Sequence, residues 1–277
     1  PMSDKYIGVE IEAENIKYRN DSIYNKLFYW SVTSDGSLRN YGTEFISQKL
    51  RGMDILHALR ELEVFFETYK ISPVYSERTS VHIHIDSRYL NTYQLKTLMC
   101  YYLACEPYFF SIIGKGRENN IYCVPYYKNV QGINNISQLF SKRLNDETIY
   151  YVIQKGLKYE AMNIRSIQEK GSIEFRHHYG THDKTTLYGW IINLLNLFKL
   201  SKESSEDEFN FLYNSLSYKD FLLNCLPKFT DIEEEELIRC KNKADSVFLS
   251  LKLYSARQKD FVAEVRSHFP KPPKGDF

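Results

Sequence analysis

The sequence is short of several things that usually announce a function. Its five cysteines (Cys100, Cys105, Cys123, Cys225 and Cys240) contain no C-x-x-C pair, and the odd number leaves one over. That argues against a disulfide framework or a zinc site and suits a reducing compartment. No apolar run approaches the ~20 residues that a membrane-spanning helix needs. No secretory signal is read at the start of the chain, so the expected setting is the cytoplasm, with no membrane partner. Neither sign of charge dominates: 36 Lys plus Arg against 35 Asp plus Glu give a formal net charge of +1. Bulk attraction to nucleic acid or an anionic membrane is therefore not expected, although a local basic groove stays open. A full phosphate-binding loop is missing too. The run 114–120 (GKGRENN) lacks Walker A spacing and no clear helix follows it, which leaves Arg117 as its one strong phosphate candidate.

What is present is an ordinary globular composition. The 277 residues are 43% hydrophobic and 26% charged, which predicts one domain with a substantial core and no interdomain linker. The 23 tyrosines and 17 phenylalanines suit half-buried positions, because a tyrosine hydroxyl can stay wet while its ring packs.

Alternation of apolar and polar residues marks the strands. Residues 5–14 (KYIGVEIEAE) place Ile7, Val9 and Ile11 on one face and Gly8, Glu10 and Glu12 on the other. Two glutamates about 6.5–7 Å apart on one strand face can converge on a cation, or can simply form the solvated acidic face of an edge strand. Residues 28–33 and Thr43–Ser47 read as further strands, the latter carrying Glu44, with a turn at 34–37 that contains Asp35. In Ser80–Asp86 (SVHIHID), His82 and His84 share the face opposite Val81, Ile83 and Ile85, a spacing that suits a metal or a phosphate. A hairpin is predicted from strands 160–166 and 172–178, joined by a polar turn at Lys170 and Gly171. Asn163 and Arg165 share one face of it, as do Glu174 and Arg176 opposite Ile173 and Phe175. Taken alone, that hairpin is a cross-strand ion-pair ladder.

Helical spacing predicts helices over 51–69, 91–113 (interrupted by Pro107), 135–144 and 183–200. Further helices are expected over 206–214, Tyr218–Cys225, 232–240 and 243–268, with a tail at 270–277. The acidic run 233–236 reads as a helix start, where carboxylates suit the dipole, rather than as a metal site. The predicted class is α+β: an antiparallel curved sheet with helices on its outer face. A domain over 1–200 carries the strands, and the helices over 201–268 form an extension packed on it.

Four strands thus each carry charge opposite an apolar face, and that polar face is rich in carboxylates with histidine and arginine. Crowded carboxylates repel unless cations neutralise them, and oxygen ligands with an occasional imidazole suit magnesium or manganese. The residues GVEIE, then DGS followed by GTEFIS, then HIHI, then R-x4-YCVP, and finally NIR and SIEFR...GT occur in that order. Over residues 5–192 this series resembles the putative amidoligase family, part of the glutamine synthetase and glutamate–cysteine ligase superfamily of carboxylate–amine ligases.

The resemblance implies a half-barrel sheet with ATP and magnesium on its concave face. It implies Glu10, Glu12, Glu44 and Glu174 as metal ligands, with His84, or in its place His82, as the metal- or phosphate-binding histidine. Arg176 resembles the arginine that stabilises the transferring phosphoryl group, so Arg176, Glu174 and Glu10 are the expected catalytic residues. Arg117, Arg165 and His82 are implied for phosphate or cofactor contacts. Asn163 is implied for substrate, and Asp35 matches an acidic family position on the substrate side. The implied chemistry is phosphorylation of a carboxylate by ATP, followed by attack of an amine on the acyl phosphate to give an amide. Which acid and which amine does not carry over, nor does an oligomeric state, although ring assembly is common in one branch of the superfamily.

Two other readings compete. His-hydrophobic-His followed by Tyr93-Gln94-Leu95-Lys96 resembles a nucleic-acid nicking enzyme with Tyr93 as nucleophile, but only eight residues separate His84 from Tyr93 and the acidic strands are left unexplained. A binding or structural module on the same sheet is the non-enzymatic alternative.

Overall fold

The alternation in the first strand becomes a two-faced sheet. In the computed structural model, which describes residues 5–16, 21–114, 116–141 and 144–257, Ile7–Ala13 (β1) buries Ile7, Val9, Ile11 and Ala13 and leaves Gly8, Glu10 and Glu12 partly open on the other side. Trp30–Ser34 (β2), Thr43–Ser47 (β3), Ser80–Asp86 (β4), Met162–Asn163 (β5) and Ser172–Tyr179 (β6) complete an open six-stranded sheet. The order is β2-β3-β1-β4-β6-β5, and each neighbouring pair is antiparallel. Register places Glu12 opposite Glu44, Glu10 opposite His82, and His84 opposite Glu174. The charged residues of four separate strands therefore converge on one face.

Nine α-helices lie among the described residues: α1 (Asp54–Tyr69), α2 (Thr92–Ile113), α3 (Val130–Ile136), α4 (Asp146–Lys155), α5 (Ser166–Lys170), α6 (Lys184–Glu203), α7 (Glu206–Ser215), α8 (Tyr218–Cys225) and α9 (Glu234–Arg257). The apolar stripes predicted for α1 and α6 point inward, with Ile55, Leu59, Leu62 and Phe66 buried on α1 and Leu187, Ile191, Leu194 and Phe198 on α6. α2 starts at a reciprocal cap between Asn91 and Gln94 and is buried on almost every side from Leu95 to Phe110. It runs through Pro107 rather than being interrupted there. Packing on all its faces offsets the hydrogen bond that the proline cannot donate. Tyr218 and Tyr108 tie the C-terminal part to it: Tyr218 donates to the Ala104 carbonyl at 2.7 Å and Tyr108 to the Thr230 carbonyl at 2.8 Å. Residues of α7, α8 and α9 join the same core as the sheet.

Several expectations change. The strand predicted over 160–166 pairs as β5 for two residues only, and the chain then turns into α5. Gly171, at φ 70°, closes that helix in the left-handed region and returns the chain to β6. The helix expected over 135–144 lies upstream as α3, capped by Asn129, and continues as a 3₁₀ turn at Ser137–Phe140. α4 was not predicted, though Asn145 caps it by accepting from the Thr148 N–H. The two helices expected over 232–240 and 243–268 are one through Arg257, because no residue between them stops a helix. The remainder of that expectation, and the tail at 270–277, lie outside the described residues.

One irregularity aims the site. Between β4 and β6 the register shifts, with Val81 opposite His178 but Ile83 opposite Phe175. Arg176 and His177 thus share the place opposite His82, which is a β-bulge. Glu174 and Arg176 stay on the charged face, while His177 and His178 are buried with rings against Trp190 of α6.

Candidate active site

The charged sheet face is the floor of a cleft of about 1280 Å³. Glu10 and Glu12 of β1, Glu44 of β3, Ser80 and His82 of β4, Asn163 of β5, and Glu174 and Arg176 of β6 line it. Segments around 76–78, 113–114, 116–122 and 158–159 form its walls, with Lys170 at one end.

His82 is the hub of the floor. Its Nδ1 lies 3.3 Å from Glu10 Oε2 and 3.5 Å from Glu174 Oε1. Its Nε2 lies 2.8 Å from Ser80 Oγ. Ser80 gives its backbone N–H (2.8 Å) and its hydroxyl (2.7 Å) to the same oxygen, Glu12 Oε2. With the serine proton committed to Glu12, Nε2 of His82 carries the ring proton that Ser80 accepts. Nδ1 then faces two carboxylates as the second donor of an imidazolium or as a lone pair available to a cation. Two sets of ligand atoms lie within 4.8 Å of one another, Glu10–His82–Glu174 and Glu12–Glu44–His82. His82 belongs to both.

The electrostatics follow from crowding. Burial by itself would raise Glu10, but the imidazoles of His82 and His84 outweigh it and hold the carboxyl well below its ordinary range. Glu174 is also lowered: burial raises it, and the charges of His82, Arg176 and His84 with the Asn163 hydrogen bond prevail. Glu44 has no such partner. Burial, then Glu10, Glu12 and Asp35, push it up to about 7, with Lys170 opposing. This floor gains by taking up positive charge.

Arg176 is held at the cleft surface, donating Nη1 to Glu174 Oε1 at 2.5 Å and Nε to the Tyr122 carbonyl at 3.0 Å, with its guanidinium 5.7 Å from the Tyr159 ring. Asn163 donates Nδ2 to Glu174 Oε2 at 2.6 Å, which leaves its Oδ1 buried and without a partner. Ser166 Oγ, also lining the cleft, is likewise buried and unpartnered.

Other predicted residues lie elsewhere. His84 does not line this cleft. It lines a smaller neighbouring cavity, with Nε2 3.1 Å from Glu10 Oε1, so His82 takes the position in both ligand sets that the resemblance gave first to His84. Arg117 borders the cleft, but its guanidinium donates to the carbonyls of Arg176 (2.8 Å) and His177 (2.9 Å), where it braces the bulge. Its chemistry is positional rather than that of an open phosphate arm. Arg165 caps α5 half-exposed, 3.5 Å from Glu169, and lines neither cavity. It does not share a strand face with Asn163, because β5 ends before it. Asp35 accepts from the Ser37 N–H at 2.7 Å and shapes the turn beside the cleft without lining it. Tyr93 stands exposed on the first turn of α2 and lines neither cavity.

Two residues that matter were not singled out as site residues from sequence. Ser80 stands two residues before His82 on the same strand face, so alternation alone could have found it. Lys170 had no such signal: its Nζ lies 3.1 Å from Glu10 Oε1 across 160 residues of chain.

Among the described residues no helix is long and apolar enough to cross a membrane. A scan against protein-family models finds no match, and neither does a search of curated proteins.

Proposed function

We propose that the chain is an ATP- and magnesium-dependent carboxylate–amine ligase of the cytoplasm. The observation that carries this reading is His82, shared between two carboxylate pairs on the floor of a cleft that also presents Arg176. The donor set fits a hard divalent cation, magnesium or manganese: carboxylate oxygens, one imidazole nitrogen of fixed tautomer, and the buried, unpartnered Asn163 Oδ1 close by. On this reading the six-stranded sheet corresponds to the half-barrel that the resemblance implies.

Bound magnesium would neutralise phosphate charge, and ATP would supply the phosphoryl group that turns a carboxylate oxygen into a leaving group. The chain's own residues do the rest. Glu10, Glu174 and Nδ1 of His82 would hold one cation position, and Glu12 and Glu44 would hold a second without the imidazole, whose Nε2 carries its proton. Ser80 and Glu12 lock the His82 ring. Arg176, fixed by Glu174 and the Tyr122 carbonyl, puts a guanidinium beside these positions to clamp a phosphoryl group. A carboxylate of the floor that holds no cation would accept the proton of the incoming amine. The net reaction is acid plus amine plus ATP to amide, ADP and phosphate.

The test is ADP release on a matrix of acids and amines, run with natural protein and Glu174→Gln. Turnover that needs magnesium, an acid and an amine together, and that the variant lacks, supports the ligase. Absence of both nucleotide binding and ADP release would leave the sheet as a binding module.

A further inference from the structure

Beyond the Lys170–Glu10 contact lies a second cavity of about 200 Å³, formed by the opposite ends of the same strands. Glu10 and Lys170 line both cavities and stand between them. The charge of the two differs. The large cleft has a carboxylate floor, whereas Lys49, Lys170 and His84 line the small cavity against Glu10, and Arg88 lines it with Nε and Nη2 donating to Asp86 at 2.9 and 2.7 Å. Gly8 leaves its wall without a side chain. His84, only 7% exposed, lines the cavity with Nε2 3.1 Å from Glu10 Oε1.

A carboxylate substrate faces a difficulty in the large cleft, because the floor that holds cations repels an acid approaching over it. The small cavity meets that floor at Glu10 and carries the opposite charge. Its volume equals roughly six or seven waters at ~30 Å³ each, the size of a four- or five-carbon acid. We propose that this basic chamber is the binding site for the carboxylate substrate, a small aliphatic acid recognised by Lys49, Arg88 and Lys170, with its reacting end at the Lys170–Glu10 boundary. Naming the ligand as the reacting acid rests on the ligase reading; anion binding in the chamber does not.

Gly8 offers a clean perturbation. A Cβ there would meet only His84 Cβ, at 3.6 Å, which is ordinary contact, and its backbone lies in a regular strand. Gly8→Ala is therefore tolerated, while Gly8→Val fills the chamber with a residue that strands favour. Lys49→Glu reverses a charge at an exposed position without touching the core. Calorimetric titration of the full chain with succinate, L-glutamate and inorganic phosphate, without nucleotide, reads the chamber. Titration with Mn²⁺ reads the large cleft.

The expected result is 1:1 binding of succinate or glutamate, weakened at least tenfold by Gly8→Val and by Lys49→Glu, with Mn²⁺ affinity within twofold of the natural protein. Equal acid binding in natural protein and variants, or none in natural protein, overturns the proposal. Phosphate binding that alone responds to the variants overturns the carboxylate assignment. Failure of the ligase reading looks different: acid binding would stay sensitive to Gly8→Val, while ATP would neither bind nor release ADP.

Discussion

Arg117 Nη2 donates to the backbone carbonyl of Arg176 at 2.8 Å, so one arginine fixes the strand position from which the other reaches the cleft. Nε of Arg117 holds the next carbonyl, that of His177. A bulge leaves such carbonyls outside the regular ladder, and here a buried guanidinium takes both. Arg117→Ala is expected to destabilise the fold by about 2–5 kcal/mol in urea denaturation. Arg117→Lys should recover little of it, since an ammonium lacks the planar fork. An arginine that served only ATP would change nucleotide affinity and leave the midpoint alone.

Ser80 locks the His82 ring through Glu12. Ser80→Ala frees the tautomer, and Mn²⁺ affinity measured by calorimetry is expected to fall about 10–100-fold. The fold should lose only about 1 kcal/mol. Unchanged Mn²⁺ affinity would remove His82 from the cation site.

Glu44 sets a pH dependence for cation binding. With its pKa pushed up to about 7, a proton competes with the cation at this ligand below neutrality. Mn²⁺ affinity should rise between about pH 6 and pH 8 in natural protein. In Glu44→Gln the affinity should be lower and its pH profile over that range flatter.

Two carboxyls unrelated to the cleft govern stability. Glu106 accepts from the Tyr102 hydroxyl at 2.6 Å and the Tyr126 N–H at 2.8 Å, and Glu160 accepts from the Tyr126 hydroxyl at 3.0 Å. Burial pushes both up to about 7. Between about pH 4.5 and 7 the folded chain therefore binds more protons than the unfolded chain, and stability falls as pH rises through that window, at up to ~1.4 kcal/mol per pH unit for each group. Glu10 and Glu174, held low, act in the opposite sense and lose their contribution as pH falls below their ordinary range. His177 and His178, held neutral by burial, oppose this trend below the ordinary histidine range. The readout is therefore a difference: from pH 5 to pH 7 the urea midpoint of metal-free Glu106→Gln should rise relative to that of the natural protein.

By itself the sequence determined the strands around Glu10, Glu44 and His82, because a period of two separates an apolar face from a charged one wherever one side is buried. It equally determined the core stripes of α1 and α6. Local pattern could not reveal the break after Asn163, since strand 160–166 and strand-then-helix differ in what covers a sheet edge, not in alternation. The roles of His82 and His84 also look alike in HIHI, both on one face. Only the register, which sets Glu10 beside His82 and Gly8 beside His84, put one at the hub and the other at a second chamber. Arg117 shows the same limit. Nothing local distinguishes a phosphate arm from a backbone brace, because the partner is a bulge about sixty residues away. Composition and periodicity fix which side chains share a face, whereas long-range register and the bulge fix which of them meet, because those depend on pairings between segments far apart in the chain.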